Sequence, residues 1–217
     1  MKCSVYFMPG MAASPQIFEY IKLPSKQFDV HLMEWILPVK NESIRNYCIR
    51  LLDQIKHENP VLIGVSFGGV IVQELSKLLP VKKMIIISSV KSNKEFPRRM
   101  RLSKVTHLHK ALPTTLIKHF GTIASYSKIL APKKIEMYNK YLSVNDPLYM
   151  DWALNTIINW DQEKAPDNLI HIHGDSDPVF PIKYIENCIT VEGGTHVMII
   201  NRFRWFNEHL PQLILDN

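Results

Sequence analysis

Short apolar runs, separated by amphipathic stretches, set the rhythm of this chain. Residues 3–8 (CSVYFM), 28–33 (FDVHLM), 61–65 (VLIGV), 84–87 (MIII), 169–172 (LIHI) and 188–191 (CITV) are the strand candidates. Most are continuously apolar rather than alternating, the pattern of strands covered on both faces of a parallel sheet. Between them lie helical periods. Ile44, Tyr47, Cys48, Leu51 and Ile55 recur at helical spacing within 41–57. Residues 68–79 carry Val70, Ile71, Val72, Leu75, Leu78 and Leu79 and are stopped by Pro80. A short helix is expected after Ser14-Pro15, with Ser14 as N-cap, and a last helix over 202–209.

Strands alternating with helices predict an α/β fold: a doubly wound, mainly parallel sheet of about six strands. The alternation fails between Asn93 and Trp160. Helical stretches near 98–107, 114–125, 132–142 and 147–158 follow one another there without a convincing strand. The expected organisation is a core of residues 1–92 and 161–217 with a helical lid inserted at 93–160. A chain of 217 residues accommodates one such domain.

Composition narrows the picture. With 46% hydrophobic and 21% charged residues the chain is ordinary for a folded protein. Cys3, Cys48 and Cys188 are too few and too scattered for a disulfide framework or metal-ligand spacing, and reduced thiols in a cytoplasm fit best. The apolar run at Val5–Met8 is too short for a signal-peptide core, and no membrane span is expected. Net charge is +6, yet from Lys91 to Lys140 twelve Lys/Arg face two acids, Glu95 and Glu136, so the remainder is net acidic. A solvated face is the plain reading of that patch; attraction of an acidic partner is the functional one.

The sharpest local signal is Gly64-Val65-Ser66-Phe67-Gly68, placed between a strand and a helix. A nucleophilic serine needs a tight, strained turn with small neighbours, and the following helix aims its amino-terminal amides at the reacting atoms. A hydroxyl also needs a base. His196, in Glu192-Gly193-Gly194-Thr195-His196, follows the last strand and is the candidate; the other histidines read as structural, surface or lid groups. The orienting acid is expected after the fifth strand, in His173-Gly174-Asp175-Ser176-Asp177-Pro178. Asp177 is favoured, with Asp175 the alternative as a local cap. The order Ser66, Asp177, His196 is the order this architecture uses. The amides of Phe67 and of Met11, in the loop after the first strand, are the expected oxyanion donors. Leu108, Leu112, Leu116, Phe120, Met137, Tyr141, Tyr149 and Trp152 are candidates to line an acyl pocket beneath the lid.

GVSFGG, HGDSDPVFP and GGTHV, in that order, resemble the catalytic segments of the α/β-hydrolase superfamily. Within it the chain is similar to small lidded esterases such as those that cleave pimeloyl-acyl-carrier-protein methyl ester. It departs from their pattern in having Pro9-Gly10 where His-Gly is usual. The resemblance implies a serine hydrolase acting on a small ester or thioester through an acyl-enzyme on Ser66. It implies no metal or cofactor, and an acidic acyl-carrier protein as a partner for the basic lid. A serine at the elbow argues against haloalkane dehalogenase chemistry, which uses an aspartate. Amidase, C–C hydrolase or acyltransferase chemistry on the same triad, and a non-catalytic ligand-binding role, are the alternatives. Nothing in the sequence points to nucleic acid.

Overall fold

The computed structural model describes residues 2–106 and 140–216. Six strands, β1 (Cys3–Met8), β2 (Phe28–Leu32), β3 (Val61–Val65), β4 (Lys83–Ile87), β5 (Leu169–Gly174) and β6 (Ile189–Val191), form one sheet in the order β2-β1-β3-β4-β5-β6. Every neighbouring pair is parallel. Parallel strands need crossovers, and these place helices on both faces. On one face lie α1 (Ile44–Leu51), α2 (Phe67–Leu75) and, beyond α3 (Arg98–Thr106), the helix α4 (Pro147–Asn159). On the other lie a 3-10 turn at Pro15–Phe18, α5 (Met198–Asn201) and α6 (Phe203–Leu215). The two cores are distinct: Tyr6, Met8, Leu62 and Ile86 face the first, and Val5, Phe7, Ile63 and Ile85 the second. That division follows from the two-residue repeat of a strand.

Several elements depart from the sequence expectation. Ser14 does not cap: its hydroxyl is buried without a partner, and only a 3-10 turn follows. The α2 helix ends at Leu75 rather than running to Leu79, because the Ser76 hydroxyl takes the Gln73 carbonyl (2.8 Å) and the chain tightens into turns before Pro80. The final helix continues through Pro211 to Leu215. Pro211 removes one amide from the helix, but Phe206, Leu210 and Ile214 bury a stripe at four-residue spacing that holds it on the sheet. The α4 helix, expected within the lid, is capped by the Asp146 carboxylate and buries Tyr149, Trp152, Ala153 and Ile157 in the core. No helix among the described residues is long and apolar enough to cross a membrane.

In the sheet order, the chain moves from β1 to one side for β2 and returns to the other side for β3. A crevice opens at the carboxyl ends of β1 and β3, where loops diverge to opposite faces. Pro9–Met11 leave β1 there, and Ser66 leaves β3.

Candidate active site

Ser66 follows β3 directly and precedes the first residue of α2. Its backbone is left-handed, with φ 52° and ψ −119°, which is strained for a residue with a side chain. The helix doubles back at once over its own strand, leaving no room for a β-carbon at two positions. At Gly64 it would lie 2.3 Å from the Gly68 carbonyl oxygen, and at Gly68 2.3 Å from that of Pro9. Three hydrogen bonds hold the turn. The Ser66 amide donates to the Ile87 carbonyl (2.9 Å), and the Ser66 carbonyl accepts from the Gly69 amide (2.9 Å) and the Ser89 hydroxyl (2.7 Å).

A single line of hydrogen bonds runs from this serine to a buried acid. His196 Nε2 lies 2.9 Å from Ser66 Oγ, and His196 Nδ1 lies 2.9 Å from Asp177 Oδ2. A carboxylate only accepts, so Nδ1 carries the hydrogen and Nε2 is free to accept from the serine hydroxyl. Asp177 is 3% exposed, and its Oδ1 accepts from the amides of Val179 (2.7 Å) and Phe180 (3.0 Å). Burial pushes this carboxyl up, but the His196 and backbone donors outweigh it and leave it below its ordinary value. Asp175 is exposed and accepts from Ser176 Oγ and the Gly193 amide (both 2.9 Å), so it braces the loops and does not reach His196. Of the two acids, Asp177 is the one bonded to His196.

The acid loop has two further supports, His173, which the sequence already suggests is structural, and Arg99. His173 Nε2 faces the Phe180 carbonyl at 2.8 Å and must therefore donate, while its Nδ1 accepts from His171 Nε2 at 3.2 Å. Both imidazoles are buried, and burial lowers both, His171 to about 3. On the outer side the Arg99 guanidinium donates to the carbonyls of Pro178 (2.8 Å) and Val179 (2.9 Å). The only sequence signal for His173 was its place at the end of β5, two residues before Asp175; Arg99 had none beyond its charge.

Ser66 and His196 open onto a cavity of about 90 Å³, walled by Gly10, Met11, Ala13, Ile17, Val65, Tyr141, Leu142, Val197, Ile199 and Ile200. Among the described residues, the one polar side chain in this wall apart from Ser66 and His196 is Tyr141, whose hydroxyl donates to Glu19 at 2.5 Å. Met11 thus shares the cavity wall with Ser66. Phe67, as the first residue of α2, has an amide with no intrahelical acceptor. The segment 141–144 is stitched to the loop after β1: the Ser14 amide donates to Tyr141 O (2.9 Å) and the Val144 amide to Ala12 O (3.0 Å).

Of the expected pocket residues, Tyr141 lines the cavity. Tyr149 and Trp152 do not. They sit on the inner side of α4, where Tyr149 packs on Trp35 (5.2 Å) and Trp152 stacks on Tyr47 (4.1 Å). Their apolar surface is taken up by the α1–α2 core, whereas the cavity's Ile17, Ile199 and Ile200 belong to the opposite face. Leu108, Leu112, Leu116, Phe120 and Met137 lie outside the described residues. Among the described residues one group of metal-ligand type occurs, Asp29, His31 and His57, with ligand atoms within 4.8 Å of one another. It lies at the edge strand, Asp29 beside Ser4 at the amino end of β1 and so away from Ser66. Asp29 is bonded there to His31 (2.9 Å), and His57 to the Tyr6 hydroxyl (2.7 Å).

No model of a known protein family matches the sequence, and no curated protein matches it. Solved structures do. A structure from work on epoxide hydrolases of the α/β-hydrolase superfamily, from metagenomes of hot environments, is similar with a TM-score of 0.73 at 11% identity, covering 100% of this chain and 92% of that one. The bromoperoxidase of Bacillus anthracis gives 0.69 at 19% identity, covering 100% and 93%. An esterase of Exiguobacterium antarcticum gives 0.64 at 19% identity, covering 98% and 91%.

Proposed function

We propose that this chain, which has the α/β-hydrolase fold, is a serine hydrolase that cleaves a small carboxylic ester or thioester. The observation that carries this reading is the unbroken line from Ser66 Oγ through both nitrogens of His196 to buried Asp177, at 2.9 Å and 2.9 Å. A hydroxyl so placed is activated by its base, and the base is oriented by its acid. His196 Nε2 takes the Ser66 proton as the oxygen attacks the carbonyl carbon. Asp177 steadies the imidazolium that forms. The amides of Phe67 and Met11 receive the tetrahedral oxyanion, and the amino end of α2 adds its dipole. His196 returns the proton to the departing alcohol or thiol. A water, deprotonated by His196, then attacks the acyl-enzyme, and Ser66 leaves with the proton.

The described wall of the cavity suits a neutral, apolar acyl group of a few carbons, because among the described residues no Asp, Glu, Lys or Arg lines it. That a solved esterase shares the fold is consistent with this chemistry. The test is labelling by a fluorophosphonate together with hydrolysis of a short p-nitrophenyl ester. Wild type is expected to do both, and Ser66→Ala to lose both while keeping its fold, with turnover down by roughly 10⁴- to 10⁶-fold. Near wild-type turnover in the variant would overturn the mechanism.

A further inference from the structure

Trp35 lies in the chain leaving the edge strand β2, outside the line of catalytic groups, yet it touches both halves of the expected oxyanion site. Its indole Nε1–H donates to the Gly10 carbonyl at 3.0 Å. Its ring lies nearly parallel to that of Phe67, with centroids 5.3 Å apart and planes 11° from each other. Gly10 immediately precedes Met11, and Phe67 immediately follows the nucleophile. The two residues whose amides would receive the oxyanion are thus tied to one side chain.

We infer that Trp35 is a positioning residue that aims the Met11 amide at the oxyanion. The Gly10–Met11 bond is trans, as are all described peptide bonds, so the Gly10 C=O and the Met11 N–H point in opposite directions within one rigid plane. Whatever fixes the carbonyl fixes the amide. The Gly10 carbonyl accepts two hydrogen bonds, one from Trp35 Nε1 and one from the Ala13 amide at 3.0 Å. Only the first comes from outside the loop itself. Without it the plane is held by a single short-range turn contact, in a loop that has Pro9 before it and the left-handed Ala12 (φ 63°) after it. The indole is held in turn by Phe67 on one side and Tyr149 on another (5.2 Å), and both of those rings are fully buried. The nucleophile's neighbour thereby serves as the bearing surface for the group that sets the second donor. This also gives α4 a part in catalysis that differs from pocket lining: Tyr149 backs the indole.

The inference rests on the proposed function, and its test separates the two. Trp35→Phe keeps an aromatic ring between Phe67 and Tyr149 but removes the N–H. Mis-aiming one donor of an oxyanion site is expected to lower kcat on a p-nitrophenyl ester by about 10- to 100-fold, somewhat less than deleting one. KM should change by less than about threefold, and the pH midpoint of kcat/KM should stay put, because the His196–Asp177 pair is untouched. Affinity for a trifluoromethyl ketone, whose adduct carries the oxyanion, should fall in parallel with kcat/KM. A packing role alone would instead lower thermal stability and leave kcat and ketone affinity near wild type. Wild-type kcat in a folded Trp35→Phe would overturn the inference and leave the hydrolase standing. Absence of labelling and turnover in wild type would overturn the hydrolase reading, and this inference with it.

Discussion

At Ser66 the backbone strain and the chemistry have one origin. The left-handed turn that costs the fold energy also lifts Oγ clear of the strand and presents it to His196. The pattern Gly64-x-Ser66-x-Gly68 announces this because each glycine fills a place where a β-carbon would meet backbone. The acid was less legible. Asp175 and Asp177 occupy one turn and differ only in which way they face, and a sequence carries no direction for a loop side chain. The structure turns Asp175 outward to the Gly193 amide and Asp177 inward to His196. Asp177→Asn is therefore expected to lower kcat by orders of magnitude, on the order of 10⁴-fold where the imidazole takes the wrong tautomer. Asp175→Asn should cost less than tenfold. Parallel ester assays on the two variants decide this, and the opposite ranking would reverse the assignment.

At the scale of elements, the strands were readable because continuous apolar runs in a doubly covered sheet have few other destinations. Helix ends were read less well, since they depend on partners. Ser76 shortened α2 through a side-chain bond, and the buried stripe of α6 carried it past a proline. The basic stretch of α3 shows the same limit. Its arginines look alike in sequence, but Arg99 is engaged with the acid loop, while Arg98 and Arg101 are exposed with no ion pair among the described residues. We propose that Arg98, Arg101 and Lys94 form the face that meets an acidic acyl-carrier protein. Arg98→Glu with Arg101→Glu should spare a small neutral ester and cut kcat/KM at least tenfold on a carrier-bound acyl group, about 1.4 kcal/mol. That loss should shrink with added salt. Arg99→Met, by contrast, should lower turnover of the small ester itself. Equal rates for the double variant and wild type on the carrier substrate at low salt would remove the partner.

For the whole molecule, stability should depend on pH through the two histidines beneath the acid loop. An unfolded imidazole takes a proton near pH ~6.5, whereas buried His171 does so only at about 3. Between those values the unfolded chain binds more protons, so stability is full above that window and drains away as pH falls through it. The lowered His173 acts in the same direction. The urea midpoint should drop between pH 7 and pH 5, and His171→Leu should flatten that slope whatever it does to stability at pH 7. An unchanged slope would assign the effect elsewhere. The stitching of Tyr141 and Val144 to the loop after β1 has a different consequence, one for protein engineering. Any engineered exchange of sequence between β4 and β5 has to keep residues 141–144 of the recipient, together with the Arg99 clamp upstream, if the loop that carries Met11 is to stay moored. Junctions placed after Val144 would cut the moorings of the loop that carries Met11.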